Sequence, residues 1–130
     1  LANNVKINEQ AQQISIHQIA LSEQAGELEL FTDGLDGISP SLSRDGNQSG
    51  SVKVETKRID DVIASGVQSP DVMKIDVEGF EMEVLEGGIA LLERTKPDII
   101  CEVLRKARRV NEMEILLSQI FIELTSLNRM

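Results

Sequence analysis

An α/β fold with a mostly parallel sheet is what the amino-acid sequence predicts. Two observations carry that reading. The second half of the chain alternates strand-like and helix-like stretches, and one strand-like run, Asp98 to Val103 (D-I-I-C-E-V), is nearly continuous in apolar residues. Strands that alternate with helices form parallel sheets through right-handed crossovers. An apolar run without alternation is expected where both faces of a sheet are covered.

The elements follow from local pattern. Leu1 to Glu9 reads as the tail of a helix entering a strand. Ile14 and Ile16 alternate with Ser15 and His17, and the run closes on Ile19-Ala20-Leu21, which predicts a strand. Ser22 to Gly26 is a turn, and Glu27 to Thr32 places Leu28, Leu30 and Thr32 on one face of a second strand, so these two strands are expected to pair as a hairpin. Asp33 to Ser51 is rich in Gly, Ser, Asp and Asn and is read as a long loop. Val52, Val54 and Thr56 alternate in a third strand. Arg58 to Ser65 is a short helix with Asp60-Asp61 at its positive end and Gly66 closing it.

Val72 to Asp76 is the next strand, Glu78-Gly79 a turn, and Phe80 to Arg94 a helix with Val84, Leu85, Ile89 and Leu92 on a shared face. Gly87-Gly88 weakens that helix by about 1 kcal/mol per glycine, a cost that close packing against the sheet would offset. Thr95-Lys96-Pro97 stops the helix before the strand Asp98 to Val103. Glu112 to Gln119 reads as a last helix, followed by a weak strand from Ile120 to Leu124.

With 130 residues, 41% apolar and 27% charged, the chain has the size and balance of one soluble globular domain. No apolar run approaches the roughly 20 residues that cross a bilayer, and no signal peptide is legible, so no membrane partner is expected. Cys101 is the lone cysteine, which excludes an internal disulfide and makes the cytoplasm the expected location. A net charge of −9, three Phe and no Trp or Tyr argue against nucleic acid as a partner. The basic cluster Arg105, Lys106, Arg108 and Arg109 is read as the solvated approach to a helix.

Ligands of open parallel sheets bind outside the carboxyl ends of the strands. Two such ends bear acids here: Asp76, with Glu78 just beyond it, and Glu102. If one crossover helix joins neighbouring strands, Asp76 and Glu102 lie at the same rim, where a carboxylate can accept a proton from a hydroxyl. Glu78 and Glu81 have a competing role as acids favoured by a helix N-terminus, and Glu102 as a solvated strand-edge residue. His17 is read as a partly buried or cross-strand histidine in preference to a general base, Cys101 as an inert core thiol, and Met73, Met82 and Met113 as core filler.

The run K-I-D-V-E-G-F-E (Lys74 to Glu81), with V-L-E-G-G-I-A-L-L (Val84 to Leu92) and K-P-D-I-I-C-E-V (Lys96 to Val103), closely resembles the FkbM-type methyltransferases. So do V-E-T-K-R-I-D-D (Val54 to Asp61) and I-A-L-S-E-Q-A-G-E-L-E-L (Ile19 to Leu30), and these segments occur in the family's order. The resemblance implies a class I, Rossmann-like sheet that binds S-adenosylmethionine and transfers its methyl group to a hydroxyl of a small molecule, such as a sugar or secondary metabolite. By the same resemblance the strand end Ala20, Leu21 and Ser22 lies near the cofactor's adenine. Asp76 stands near the reacting methyl, and Asp76, Glu78 and Glu102 are the catalytic candidates.

The chain also departs from the family. A strand with the glycine-rich turn V-x-D-x-G-A-N-x-G, and a following strand ending in an acid for the ribose, have no counterpart in it. The expectation is a single truncated domain, a partial sheet with a hairpin insertion and no N-terminal cofactor-binding unit, that binds S-adenosylmethionine weakly or not at all by itself. Two other functions fit the same acids. One is a Mg²⁺- or Mn²⁺-dependent enzyme with Asp76, Glu78 and Glu102 as oxygen ligands; the other is a non-catalytic interaction module.

Overall fold

The structure, a computed structural model, describes residues 2–7, 11–33, 48–77, 79–103 and 109–121. Helix α1 (Ala2–Lys6) and a turn of 3₁₀ helix (Ala11–Gln13) precede strand β1 (Ala20–Leu21). Strands β2 (Gly26–Asp33) and β3 (Gln48–Lys57) follow, then helix α2 (Ile59–Ala64). Strand β4 (Val72–Ile75), helices α3 (Glu81–Glu86) and α4 (Ile89–Thr95), strand β5 (Asp98–Cys101) and helix α5 (Val110–Ile120) complete the chain. The fold is α/β with two small sheets, β1-β3-β2 and β4-β5. No helix among the described residues is long and apolar enough to cross a membrane.

The pairing of the first sheet corrects the expected hairpin. β1 does not pair with β2; it lies parallel to β3, with Ala20 opposite Thr56 and Leu21 opposite Lys57. The antiparallel partner of β2 is β3, in a register that sets Leu28 opposite Val54 and Leu30 opposite Val52. Cross-strand apolar pairs of this kind stabilise a sheet, and the register collects them along one side. The strand around His17 is also shorter than expected. Residues 14–19 form no strand, and Ile14 and Ile16 stay 44% and 42% exposed. Alternation supplies the propensity for a strand, but a ladder needs a partner, and only Ala20 and Leu21 have one.

β4 and β5 pair in parallel as the sequence predicts, from Val72 opposite Asp98 to Ile75 opposite Cys101. Ile75 is buried, and Met73, Ile99 and Cys101 are half-buried against the core. The core gathers Ile59, Met82, Val84, Leu85, Leu91, Leu92, Met113 and Ile120 from α2, α3, α4 and α5. The other face of the pair is open, with Val72 58% and Ile100 61% exposed. Among the described residues, therefore, helices cover this sheet on one face and not on both.

One long helix over Phe80 to Arg94 was the expectation; the chain instead breaks into α3 and α4 at Gly87-Gly88. The reason is a close approach. A Cβ at Gly87 would lie 2.2 Å from the carbonyl oxygen of Ser22 and 3.4 Å from Cα of Arg58, and one at Gly88 would press on Ile59 at 3.2 Å. The glycines thus admit the end of β1 and the start of α2 between two helical turns. The Asp60 backbone N–H donates to the Gly87 carbonyl at 3.0 Å. The Asp60 carboxylate then accepts from the N–H groups of Leu91, at 2.9 Å, and Ala90, at 3.2 Å. α4 has no side-chain cap of its own, so Asp60 satisfies from another helix two of the amides that a helix start leaves orphaned.

Other boundaries have local causes. Ser65 and Gly66 (φ 106°) terminate α2, and Lys96, left-handed at φ 47°, ends α4 before Pro97. α5 is docked on α3 by Arg109, whose guanidinium makes a two-pronged contact with Glu86 at 2.7 and 2.8 Å and reaches Glu112 at 2.8 Å. Arg109 is therefore tied up in glutamates and not presented to a phosphate. Arg105, Lys106 and Arg108 lie outside the described residues, as do positions 34–47 of the long loop and positions 122–124 of the strand expected over Ile120 to Leu124, whose first residue is instead the last of α5.

Candidate active site

The parallel register decides where the acids of the second sheet stand. Because Ile75 is opposite Cys101, the next residues, Asp76 and Glu102, leave adjacent strands at the same rim, and the Glu102 N–H donates to the Ile75 carbonyl at 3.0 Å. Side chains alternate along a strand, so Lys74 and Asp76 share the open face with Ile100 and Glu102. The Lys74 ammonium hydrogen-bonds and ion-pairs with the Asp76 carboxylate. Its pKa is held above the ordinary lysine value, first by that hydrogen bond, which outweighs the opposing effect of burial, and then by the charges of Asp76 and Glu102. The rim is a cluster of two carboxylates around one ammonium, open to solvent, with the apolar side chains of Val72 and Ile100 behind it.

Glu81 was not among the catalytic candidates, yet it is the most buried charged residue near this rim, at 2% exposure. It opens α3, and its Oε1 accepts the N–H of Gly79 at 2.8 Å. The sequence signal was the acid repeated in D-V-E-G-F-E, but spacing could not tell a helix-end acid from an inward-facing one. Glu78, the third catalytic candidate, lies outside the described residues. Among the described residues, no group of three His, Cys, Asp or Glu side chains is arranged to hold a metal ion.

Cys101 sits beneath the rim, half-buried. Its thiol is pushed up to about 11 by burial first, then by the negative charges of Glu81 and Asp76. At pH 8 roughly one molecule in a thousand carries the nucleophilic thiolate, so a disulfide reagent is expected to label the folded chain far more slowly than the unfolded one. Equal labelling rates would contradict the burial. The sign for stability follows: the folded state holds this proton more tightly than an ordinary thiol near 9, so its contribution is present below pH 9 and is lost as pH rises towards 11.

Ala20, Leu21 and Ser22, the cofactor candidates, stand elsewhere. Ser22 is buried; its N–H donates to the Lys57 carbonyl at 3.0 Å, its hydroxyl donates to Glu23 at 2.7 Å, and its carbonyl lies over Gly87. Gly87 follows the C-terminal end of α3, whereas Asp76 precedes its N-terminal end, so the length of that helix, about 9 Å, separates the two sets. An open cavity of about 530 Å³ between residues 16–19, β3 and α2 is lined by His17, Glu55, Lys57 and Asp61 among others, but by none of the site candidates.

The sequence itself falls in a recognisable class. A family model described as Methyltransferase FkbM domain matches residues 1–126. The chain belongs to the FkbM methyltransferase family. It is similar to the 2-O-methyltransferase NoeI of Sinorhizobium fredii (strain NBRC 101917 / NGR234), at 28% identity over 97 aligned residues that take in 62% of this chain and 40% of that relative. The chain thus spans less than half the length of the curated relative it matches. No solved structure matches. The matched span includes the segment D-V-E-G-F-E, the broken helix and β5 with Glu102 just beyond it.

Proposed function

We propose that this chain is part of an S-adenosylmethionine-dependent O-methyltransferase whose acceptor is a hydroxyl of a small molecule, such as a sugar, in the cytoplasm. In this reading Asp76 and Glu102 act at the acceptor oxygen. The observation that carries it is the parallel register of β4 and β5, which leaves two carboxylates side by side at a strand rim in a chain of the FkbM family. A relative named for methylation at a 2-hydroxyl favours a polyhydroxylated acceptor.

S-adenosylmethionine supplies an electrophilic methyl group in enzymes of this kind. The part played by this chain is to hold the acceptor hydroxyl at the rim and to take its proton on Asp76, with Glu102 as second acceptor. Positioning of the oxygen supplies much of the rate in such reactions, and proton removal by a placed carboxylate typically adds 10²–10⁴-fold. Lys74 orients Asp76, since its ammonium is already paired with that carboxylate.

The residues offered for the cofactor fit less well. Ser22 is buried, with its N–H donated to the Lys57 carbonyl and its hydroxyl donated to Glu23, so neither donor is spare for a ligand. No step is assigned to Ala20, Leu21 or Ser22. The Mg²⁺ or Mn²⁺ reading needs Glu78 as its third ligand, and that residue lies outside the described residues.

The test is to incubate the full-length protein with methyl-labelled S-adenosylmethionine and a panel of mono- and disaccharides, and to follow label by mass spectrometry. Transfer to a sugar hydroxyl is the expected result. Label that appears only on amines or carboxylates would overturn the hydroxyl assignment.

A further inference from the structure

The turn between β4 and α3 carries Asp76 at its start and Glu81 at its end. Glu81 is 2% exposed, and burying a carboxylate is costly unless it is hydrogen-bonded. Among the described residues its hydrogen-bond donor is the N–H of Gly79, two residues back, at 2.8 Å. Gly79 has φ 106°, with no atom within 4 Å of where a Cβ would stand, so its glycine serves the backbone conformation and not a tight fit. α3 has no side-chain cap at Phe80. The carboxylate is thus directed into the turn that leads back to the rim.

We propose that Glu81 is a positioning residue for Asp76: by accepting the Gly79 N–H from a buried site, it holds the β4–α3 turn in the one conformation that keeps the Asp76 carboxylate at the rim beside Glu102. This inference rests on the reading that Asp76 acts on the acceptor. Burial excludes Glu81 from touching the acceptor itself. It acts on Asp76 through the Gly79 N–H that it accepts.

Steady-state kinetics of the full-length enzyme test it, with Asp76→Ala as the reference. Glu81→Leu, which removes the acceptor atom and keeps the bulk, is expected to lower kcat for the acceptor about 30-fold with the KM for S-adenosylmethionine within about twofold. Glu81→Gln keeps an oxygen for Gly79 and is expected to recover most of that loss. Gly79→Ala strains the same turn without touching Glu81 and is expected to lower kcat by a similar factor. Adding Glu81→Leu to Asp76→Ala should cost nothing further, since residues acting as one unit are not additive. A folded Glu81→Leu enzyme with full kcat overturns the inference; if that variant does not fold, a Gly79→Ala enzyme with full kcat does so. Should Asp76→Ala itself be fully active, it is the functional reading that fails, and the two failures are thereby told apart.

Discussion

Asparagine in place of Asp76 is expected to lower kcat/KM for the acceptor by roughly 10²–10³-fold in the full-length enzyme, because the amide keeps the shape of the carboxylate but cannot take a proton. Glu102, on the adjacent strand end, is expected to limit the loss by serving as a substitute acceptor. The lysine matters to the size of the effect. Lys74 pairs with Asp76 and feels Glu102 as well, so removing one negative charge leaves the ammonium to draw on the other. Asp76→Asn together with Glu102→Gln is accordingly expected to cost more than either change. Initial rates at varied acceptor and saturating cofactor measure this, with circular dichroism to verify folding. Wild-type kcat/KM in a folded Asp76→Asn enzyme would remove the residue from the chemistry.

The second large effect is on stability. Gly87→Ala should destabilise the fold by about 3 kcal/mol, the upper part of the range for overpacked sites. The added methyl would stand 2.2 Å from the Ser22 carbonyl oxygen and 3.0 Å from its carbon. Both are backbone atoms, held by the Ser22 N–H bond to Lys57 and by the β1–β3 ladder, so no flexible side chain can swing aside. A domain of this size has roughly 5–15 kcal/mol in total, and the change is therefore a large share of it. Urea unfolding reads it as a lower midpoint at constant slope. A midpoint equal to that of the parent protein would mean that the two segments are not in contact.

Those two sites also mark what could and could not be read from the residues. The strands Val72 to Asp76 and Asp98 to Val103, the helix after Arg58 and the helix around Met113 are local patterns, and each occurs within a few residues of its expected span. The shared rim of Asp76 and Glu102 was legible too, because one crossover between parallel strands leaves little freedom of register. Pairing of β1 with β3 was not, since it joins segments 36 residues apart by backbone bonds that carry no side-chain signature. Local reasoning favoured the nearest strand-like neighbour and so made the wrong hairpin. Asp60 and Asp61 were both assigned to the dipole of their own helix, whereas Asp60 serves the helix that starts 30 residues later. The inward turn of Glu81 was equally hidden, because burial of one acid among several is decided by tertiary packing.

The broken helix has one more consequence. Ser22, Arg58, Ile59 and Asp60 on one side meet Gly87, Gly88, Ala90 and Leu91 on the other, and this joint fastens β1 and α2 to the helices that follow β4. A fastening of so few residues behaves as a rivet: neither side can drift in sequence without the other yielding. Substitutions across it will not sum, and homologous chains that lose the glycine pair must also rebuild the end of β1.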